Sequence, residues 1–197
     1  MTLGADDVSR ETLDRLEDYA DLVRKWSPKI NLISRADLPH LWGRHIQDSL
    51  QLLRFSGSGG RWVDLGSGGG FPGIVIAIAR PDLDMHLIES DTRKATFLRT
   101  CVRELGLKAQ IHANRIEDVA SLGADIISAR ALAPLDRLLN MVSHHLAHNG
   151  FALLPKGEKA TEELAIARET WSFSATMHPS ETRQGATILQ IEAISRA

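Results

Sequence analysis

The 197-residue sequence contains a single cysteine, Cys101, so it cannot form a disulfide within the chain. So few thiols are typical of a protein from a reducing compartment. No apolar run approaches the length of a membrane-spanning helix, and the first ten residues lack the apolar core of a signal peptide. The net charge of −2 provides no overall attraction for nucleic acid. These absences predict a cytoplasmic protein that has no membrane role.

The most informative stretch is residues 62–73, which read WVDLGSGGGFPG. A short apolar strand leads into a glycine-dense turn, and an apolar helix follows. Glycines allow the positive φ angles of a tight turn and leave the backbone uncovered, so a ligand can lie directly on the main chain. In open α/β sheets, nucleotide-like cofactors bind in the crevice at this position. A glycine turn without a ligand is the alternative.

The spacing of these glycines fits two kinds of cofactor. Residues 68–73 match the dinucleotide fingerprint G-x-G-x-x-G, a match that a glycine-rich run readily produces. The pattern Asp64-x-Gly66-x-Gly68 is more typical of the first motif of S-adenosylmethionine-dependent methyltransferases. A dinucleotide brings a pyrophosphate, which suits a helix N-terminus. S-adenosylmethionine instead brings a sulfonium and an ammonium, which tolerate a nearby carboxylate.

Hydrophobic periodicity divides the chain into two parts. In the first part, apolar residues recur at helical spacing. The helices predicted there are 9–26, which Pro28 ends, and a second one from an N-cap at Asp37 to Leu53. Residues 56–60, rich in serine and glycine, indicate a break. We therefore expect an N-terminal helical extension over 1–56, packed on a second part over 61–197.

In the second part, short apolar runs alternate with helical patterns, which predicts a parallel sheet with right-handed crossovers. The predicted strands are 62–65, 85–89, 109–113, 125–129, 150–154, 173–177 and 186–193. The predicted helices are 71–79, 91–105, 116–121, 134–146 and 158–169. No helical pattern separates the last two strands, so they should pair antiparallel. We predict an α/β, Rossmann-like fold with a seven-stranded, mostly parallel sheet and an antiparallel closing strand.

Two acidic residues lie at the predicted carboxyl edge of the sheet, Glu89 as the last residue of the second strand and Glu117 in the segment after the third. Glu89 lies roughly 20 residues beyond the glycine turn, where a carboxylate can accept both ribose hydroxyls of an adenosine. Capping of the next helix is the alternative interpretation of Glu89. Glu117 can accept a hydrogen bond from the exocyclic amine of adenine. A solvated ion pair between Glu117 and Arg115 is the alternative.

Arg130 follows the apolar fourth strand, where an arginine is costly to bury without a partner. Its bidentate geometry favours a carboxylate or a phosphate as ligand. A salt bridge to Asp125 or Asp136 is the alternative interpretation.

The histidines His144, His145 and His148 resemble a metal cluster, but they lack an accompanying cysteine or acidic ligand. Positive side chains are favourable at a helix C-terminus in any case. We therefore predict no metal site, and we place Cys101 in the core on the apolar face of its helix.

Several short motifs occur together and are specific in combination. They are Asn31-Leu32, Arg44-His45-Ile46-Gln47-Asp48-Ser49-Leu50, Asp64 to Gly73, Glu89-Ser90, Arg115-Ile116-Glu117, Ser128-Ala129-Arg130-Ala131 and Lys156-Gly157. In this order they closely resemble the bacterial 16S rRNA guanine-N7 methyltransferase family, also called glucose-inhibited division protein B. A generic methyltransferase has the glycine motif without the segment from Arg44 to Leu50. Pro155, before Lys156, departs from the family pattern.

The resemblance implies a class I methyltransferase, with S-adenosylmethionine as cofactor and a guanine of 16S rRNA in the small ribosomal subunit as substrate. The implied cofactor contacts are Gly66, Phe71, Ile116, Glu117 and Arg130. Reasoning from the residues adds Asp64, Gly68 and Glu89. The candidate RNA contacts, for which a solvated surface is an equal alternative, are Arg44, His45, Arg93, Lys94, Arg115 and Lys156. No general base stands out, and Arg130 is a candidate for positioning. We expect a monomer.

Three other functions stay open. The first is a methyltransferase that acts on another RNA or on a small molecule. The second is an NAD-dependent oxidoreductase, which needs a catalytic acid such as tyrosine or histidine. The single tyrosine, Tyr19, is expected to lie far from the sheet. The third is a non-catalytic RNA-binding module that ignores S-adenosylmethionine.

Overall fold

The computed structural model describes residues 8–57 and 59–197. Its strands are β1 (Arg61–Leu65), β2 (Asp84–Ile88), β3 (Ala109–His112), β4 (Ala124–Ala129), β5 (Leu146–Lys156), β6 (Trp171–Pro179) and β7 (Thr187–Arg196). Its α-helices are α1 (Arg10–Ile30), α2 (Asp48–Leu50), α3 (Gly73–Ala79), α4 (Thr92–Glu104), α5 (Leu135–His145) and α6 (Ala160–Ala167). The sequence interpretations of residues 1–7 and of Ser58 lie outside the described residues.

The strands form one sheet in the order β3-β2-β1-β4-β5-β7-β6. The first five strands pair in parallel, and β7 runs antiparallel to both β5 and β6. This confirms the predicted mostly parallel sheet with an antiparallel ending. The strand order reverses between β1 and β4, so the loops after these two strands flank the crevice where open α/β sheets bind ligands.

Side chains alternate between two cores on opposite faces of the sheet. Trp62 of β1 packs into a core that includes side chains of α1, α3 and α4. Val63 and Leu65 point the other way, into a core with side chains of α5 and α6. Both faces are therefore covered, which is the arrangement a parallel sheet requires. Cys101 is fully buried in the first core, as the sequence predicts. Within the described residues, no helix has the length and apolar character to cross a membrane.

The prediction that Pro28 ends α1 is wrong, because the helix continues to Ile30. Its end is fixed by Asn31, which adopts a left-handed conformation with φ of 52° and donates its N–H to the Ser27 carbonyl. The Ser27 hydroxyl also bonds the backbone of Ile33. Asparagine tolerates this conformation better than most residues, so the helix stops there rather than at the proline.

The prediction of one regular second helix, from the N-cap at Asp37 to Leu53, is also wrong. The chain instead makes a 3₁₀ turn at Leu38–His40, a π-helical turn at Trp42–Gln47, the short α2 and a second 3₁₀ turn at Gln51–Phe55. A π-helical turn redirects side chains relative to a regular helix, and such turns are frequent at functional sites. Strand β5 is longer than predicted and starts directly after α5.

Candidate cofactor and substrate site

The glycine turn follows β1 at the carboxyl edge of the sheet. Gly66, Gly68 and Gly70 adopt φ angles of 64°, 56° and 90°. These left-handed conformations favour glycine over any residue with a side chain. A Cβ atom added at Gly68 would approach only the Gly66 carbonyl oxygen, at 3.8 Å. One side of the turn is therefore bare backbone.

Asp64, the last polar residue of β1, braces this turn from below and is 1% exposed. Its Oδ1 accepts a hydrogen bond from Ser128 Oγ at 2.7 Å, and its Oδ2 accepts the Gly73 N–H at 3.2 Å. Trp62 Nε1 donates to the same serine oxygen at 2.8 Å. Burial raises the pKa of the Asp64 carboxyl from 3.8 to about 6, although these hydrogen bonds and Arg130 oppose the rise.

We expect replacement of Asp64 by asparagine to remove a pH dependence of stability. Between about pH 4 and pH 6 the folded protein holds this proton and the unfolded chain releases it, because the folded pKa is the higher one. The stability from this group is therefore complete below pH 4 and is lost as pH rises. The unfolding free energy of Asp64→Asn relative to wild type should increase by about 2 kcal/mol from pH 4 to pH 7.

Urea denaturation across this pH range measures the difference between the two proteins. Ser128→Ala keeps the carboxyl and removes a hydrogen bond that lowers its pKa, so the pH dependence should persist and become larger. A difference between Asp64→Asn and wild type that does not change with pH would show that folding does not raise the pKa of Asp64.

Glu89 joins the glycine turn to the start of α4. Its Oε2 accepts the Gly68 N–H at 2.7 Å, and its Oε1 accepts the Asp91 N–H at 2.8 Å. The cap of α4 is Asp91 itself, whose carboxylate accepts the N–H groups of Arg93 and Lys94. Glu89 therefore lies against the turn, beside the position predicted for an adenosine ribose.

The prediction that Tyr19 lies far from the sheet is wrong. This fully buried side chain of α1 donates its hydroxyl hydrogen to the carbonyl of Gly69. Its ring lies 5.3 Å from that of Phe71, between centroids. The helical spacing placed Tyr19 correctly on an apolar face, but periodicity does not say which loop that face will meet.

Arg130 is held by the irregular N-terminal segment. Its Nη2 donates to His45 Nδ1 at 2.7 Å, and its Nη1 donates to Asp48 Oδ2 at 3.3 Å and to the Arg44 carbonyl at 3.2 Å. Its guanidinium carbon lies 5.4 Å from the centre of the Phe71 ring. Burial and the charge of Arg130 lower the pKa of His45 to about 4, so the imidazole is neutral and can accept this hydrogen bond.

The salt bridge to Asp125 or Asp136 that was the alternative interpretation of Arg130 does not form. Asp125 instead accepts the backbone N–H of Arg61 at 2.7 Å. The ion-pair partner of Arg130, Asp48, comes from a segment 82 residues earlier in the chain. Asp48 lies within a motif that the sequence comparison with the family singled out, but nothing local indicates its partner.

A cavity of about 1030 Å³ opens over the glycine turn and beside the loop after β4. The predicted site residues that line it are Gly66, Gly68, Phe71, Arg130, Arg44, His45, Lys94 and Lys156. Those outside its lining are Asp64, Glu89, Arg93, Arg115, Ile116 and Glu117. Lining residues that sequence reasoning missed include Asp48, Leu132, Thr182 and Arg183. The cavity thus gathers eight of the fourteen cofactor and RNA candidates, from five separate segments.

Lys156 is engaged within the protein. Its ammonium donates to Glu163 Oε2 at 2.7 Å and to the Ala133 carbonyl at 3.1 Å, and its side chain is 10% exposed. The same Glu163 oxygen accepts the Leu135 N–H at 2.8 Å. Lys156 therefore fastens the loop after β4 to α6, and its role as an RNA contact stays a prediction.

The segment after β3 presents both of its predicted charged site residues to solvent. Arg115 and Glu117 are both exposed, and among the described residues no ion pair joins them. Ile116 between them is buried, and its carbonyl accepts a hydrogen bond from His145 Nε2 at 3.0 Å. His144 bonds the Val119 carbonyl in the same way. These two histidines therefore anchor the segment.

The strand order with its antiparallel β7, and the glycine turn after β1, define the fold of class I S-adenosylmethionine-dependent methyltransferases. A solved structure with this architecture is that of M. jannaschii TYW2 in complex with AdoMet. It is similar to this chain with a TM-score of 0.62 at 17% identity, covering 86% of this chain and 80% of that one.

The family model described as GidB, rRNA small subunit methyltransferase G, matches residues 12–188, and the chain belongs to this family. Curated relatives named ribosomal RNA small subunit methyltransferase G agree. The relative from Cereibacter sphaeroides is 50% identical over 193 residues, covering 95% of this chain and 93% of its own length. The relative from Ruegeria sp. is 46% identical over 194 residues, covering 96% and 95%.

Proposed function

We propose that the protein transfers a methyl group from S-adenosylmethionine to N7 of a guanine in 16S rRNA of the small ribosomal subunit. The observation that carries this proposal is the anchoring of Arg130, beside the glycine turn, by the segment that contains His45 and Asp48. This segment distinguishes the family from methyltransferases that have the glycine turn alone.

The site fits the cofactor. The bare face of Gly68 allows a ligand to lie on the backbone, and the adjoining cavity is lined by Gly66, Phe71 and Arg130, whereas Glu89, Ile116 and Glu117 lie outside its lining. We assign Glu89 to the ribose hydroxyls, Ile116 and Glu117 to the adenine, and Arg130 to the amino-acid end, with Gly66 and Phe71 between them. Asp64 supports the turn from beneath it.

S-adenosylmethionine supplies an electrophilic methyl group when it is bound. Guanine N7 carries a free lone pair and loses no proton before it is methylated, so the chain needs no general base. Its contribution is to hold the base at the right distance and angle, which accounts for much of the rate in such reactions. The buried, hydrogen-bonded Asp64 and the anchored Arg130 provide fixed charges around the site.

The cavity also supports an RNA substrate. The basic side chains of Arg44 and Lys94 line it and can meet phosphates that flank the target guanine. We further propose that residues 1–56 act as an extension of the methyltransferase part over 61–197, because Tyr19 of the extension contacts the glycine turn. Since the proposed substrate is ribosomal, we also propose that the enzyme acts in the cytoplasm, as a monomer.

The test is methyl transfer from labelled S-adenosylmethionine to small ribosomal subunits from a strain that lacks this gene. The labelled 16S rRNA is then cleaved chemically at N7-methylguanine. We expect label at one cleavable guanine. Cofactor binding with no methyl transfer to subunits or to naked 16S rRNA would overturn the assignment of the substrate. The assignments of the fold and the cofactor would still hold.

A further inference from the structure

The carboxylate of Asp48 joins three segments that are far apart in the sequence. Its Oδ2 accepts from Arg130 at 3.3 Å, while its Oδ1 accepts from Gln51 Nε2 at 2.8 Å and from Thr182 Oγ1 at 2.7 Å. The Asp48 and Arg130 side chains are only 18% and 19% exposed, so solvent screens their interaction weakly. Both carboxylate oxygens are therefore occupied by protein donors.

The segment that contains Asp48 also holds the turn between β6 and β7 in place. Gln51, which is 2% exposed, accepts the Glu181 N–H through its Oε1 at 3.0 Å. Arg54 forms an ion pair with the Glu181 carboxylate. These contacts fix the turn independently of Asp48, so the carboxylate is not required to hold it in place alone.

The orientation of the Arg130 side chain depends on few groups. Apart from Asp48, its guanidinium bonds a neutral imidazole and a backbone carbonyl, and it lies over the Phe71 ring. Asp48 is the one full negative charge among the described residues that hydrogen-bond Arg130. All three hydrogen bonds use the charged guanidinium, but only the contact with Asp48 joins two opposite full charges, so it adds a Coulombic attraction that the other two lack.

We propose that Asp48 is a positioning residue that fixes the guanidinium of Arg130 for the ligand in the cavity. The proposal rests on the proposed function, because it takes S-adenosylmethionine as that ligand. Two opposite results are possible when the Asp48 charge is removed. If orientation dominates, the cofactor binds more weakly. If Asp48 mainly neutralises Arg130, its loss leaves a stronger positive charge, and an anionic ligand group binds more tightly.

A double-mutant cycle with Asp48→Asn and Arg130→Met distinguishes these cases, with cofactor affinity from calorimetry and kcat and KM from methyl transfer. Asparagine keeps an oxygen that can accept from Gln51 and Thr182. We expect Asp48→Asn alone to weaken cofactor binding about tenfold. In the Arg130→Met background the same substitution should change affinity less than about twofold, since the group it orients is gone.

Glu181→Gln is the matched control, because it weakens the fastening of the β6–β7 turn without a contact to Arg130. Its effect should be small and should add to that of Arg130→Met. Asp48→Glu keeps the charge on a side chain one methylene longer and should lose less affinity than Asp48→Asn. This variant also serves if Asp48→Asn proves unstable in thermal unfolding.

Unchanged or tighter cofactor binding by Asp48→Asn would overturn the proposal, as would an equal loss in the presence and absence of Arg130. If wild type binds S-adenosylmethionine but does not methylate ribosomal subunits, the proposed substrate fails while the affinity cycle still decides the role of Asp48. If wild type binds no S-adenosylmethionine, both proposals fail.

Discussion

Substitution of Gly68 by alanine is expected to weaken S-adenosylmethionine binding by about 100-fold. An added Cβ at this position approaches no protein atom closer than 3.8 Å, so it projects from the bare face of the turn that lines the cavity. We expect the methyl group to occupy the space where the cofactor meets the backbone. Isothermal titration calorimetry measures the loss directly.

Gly106→Ala is a closely matched control. Gly106 has a φ of 60°, against 56° for Gly68, and its added Cβ meets no atom within 4 Å. It follows α4 and does not line the cavity. Both variants should lose roughly 1 kcal/mol of stability to the left-handed conformation. Only Gly68→Ala should lose cofactor affinity. Equal affinities in the two variants would show that the glycine turn is not part of the cofactor site.

Replacement of Arg130 by methionine should reduce cofactor affinity roughly 100-fold. The guanidinium lines the cavity, and its loss would remove charge-assisted hydrogen bonds to an anionic ligand group. It would also leave Asp48 without its cation. Methionine fills a similar volume, so contact with the Phe71 ring is largely kept.

Arg168→Met provides the comparison for Arg130→Met. The guanidinium of Arg168 lies 5.4 Å from the centre of the Phe173 ring, the same distance as in the pair of Arg130 and Phe71, but outside the cavity. This variant should bind cofactor and transfer methyl groups like wild type. If Arg130→Met keeps both affinity and turnover, Arg130 has no role in binding or positioning.

The sheet could be predicted from the sequence because its signals are local. Apolar runs such as that in β1 mark the buried strands, and glycines after β1 mark the turn where a cofactor can lie. The absence of a helical pattern between β6 and β7 was enough to predict their antiparallel pairing. The predicted end of α1 was wrong because the left-handed cap at Asn31, and not Pro28, ends the helix.

The contacts that complete the site could not be predicted, because they join distant positions. Tyr19 meets Gly69 across 50 residues, and Asp48 meets Arg130 across 82. A single sequence shows which face of a helix is apolar but not what that face will cover. The partner of Lys156 was easier to predict from the sequence, because Glu163 lies only seven positions later, in the first turn of the next helix.

The contact of α1 with the glycine turn gives the protein a built-in reporter. Tyr19 is the only tyrosine in the chain, and its hydroxyl bonds the turn on the side away from solvent. Biosynthetic incorporation of fluorotyrosine would therefore yield a single fluorine resonance. The chemical shift and linewidth of that resonance would follow the state of the turn during a titration without any engineered label.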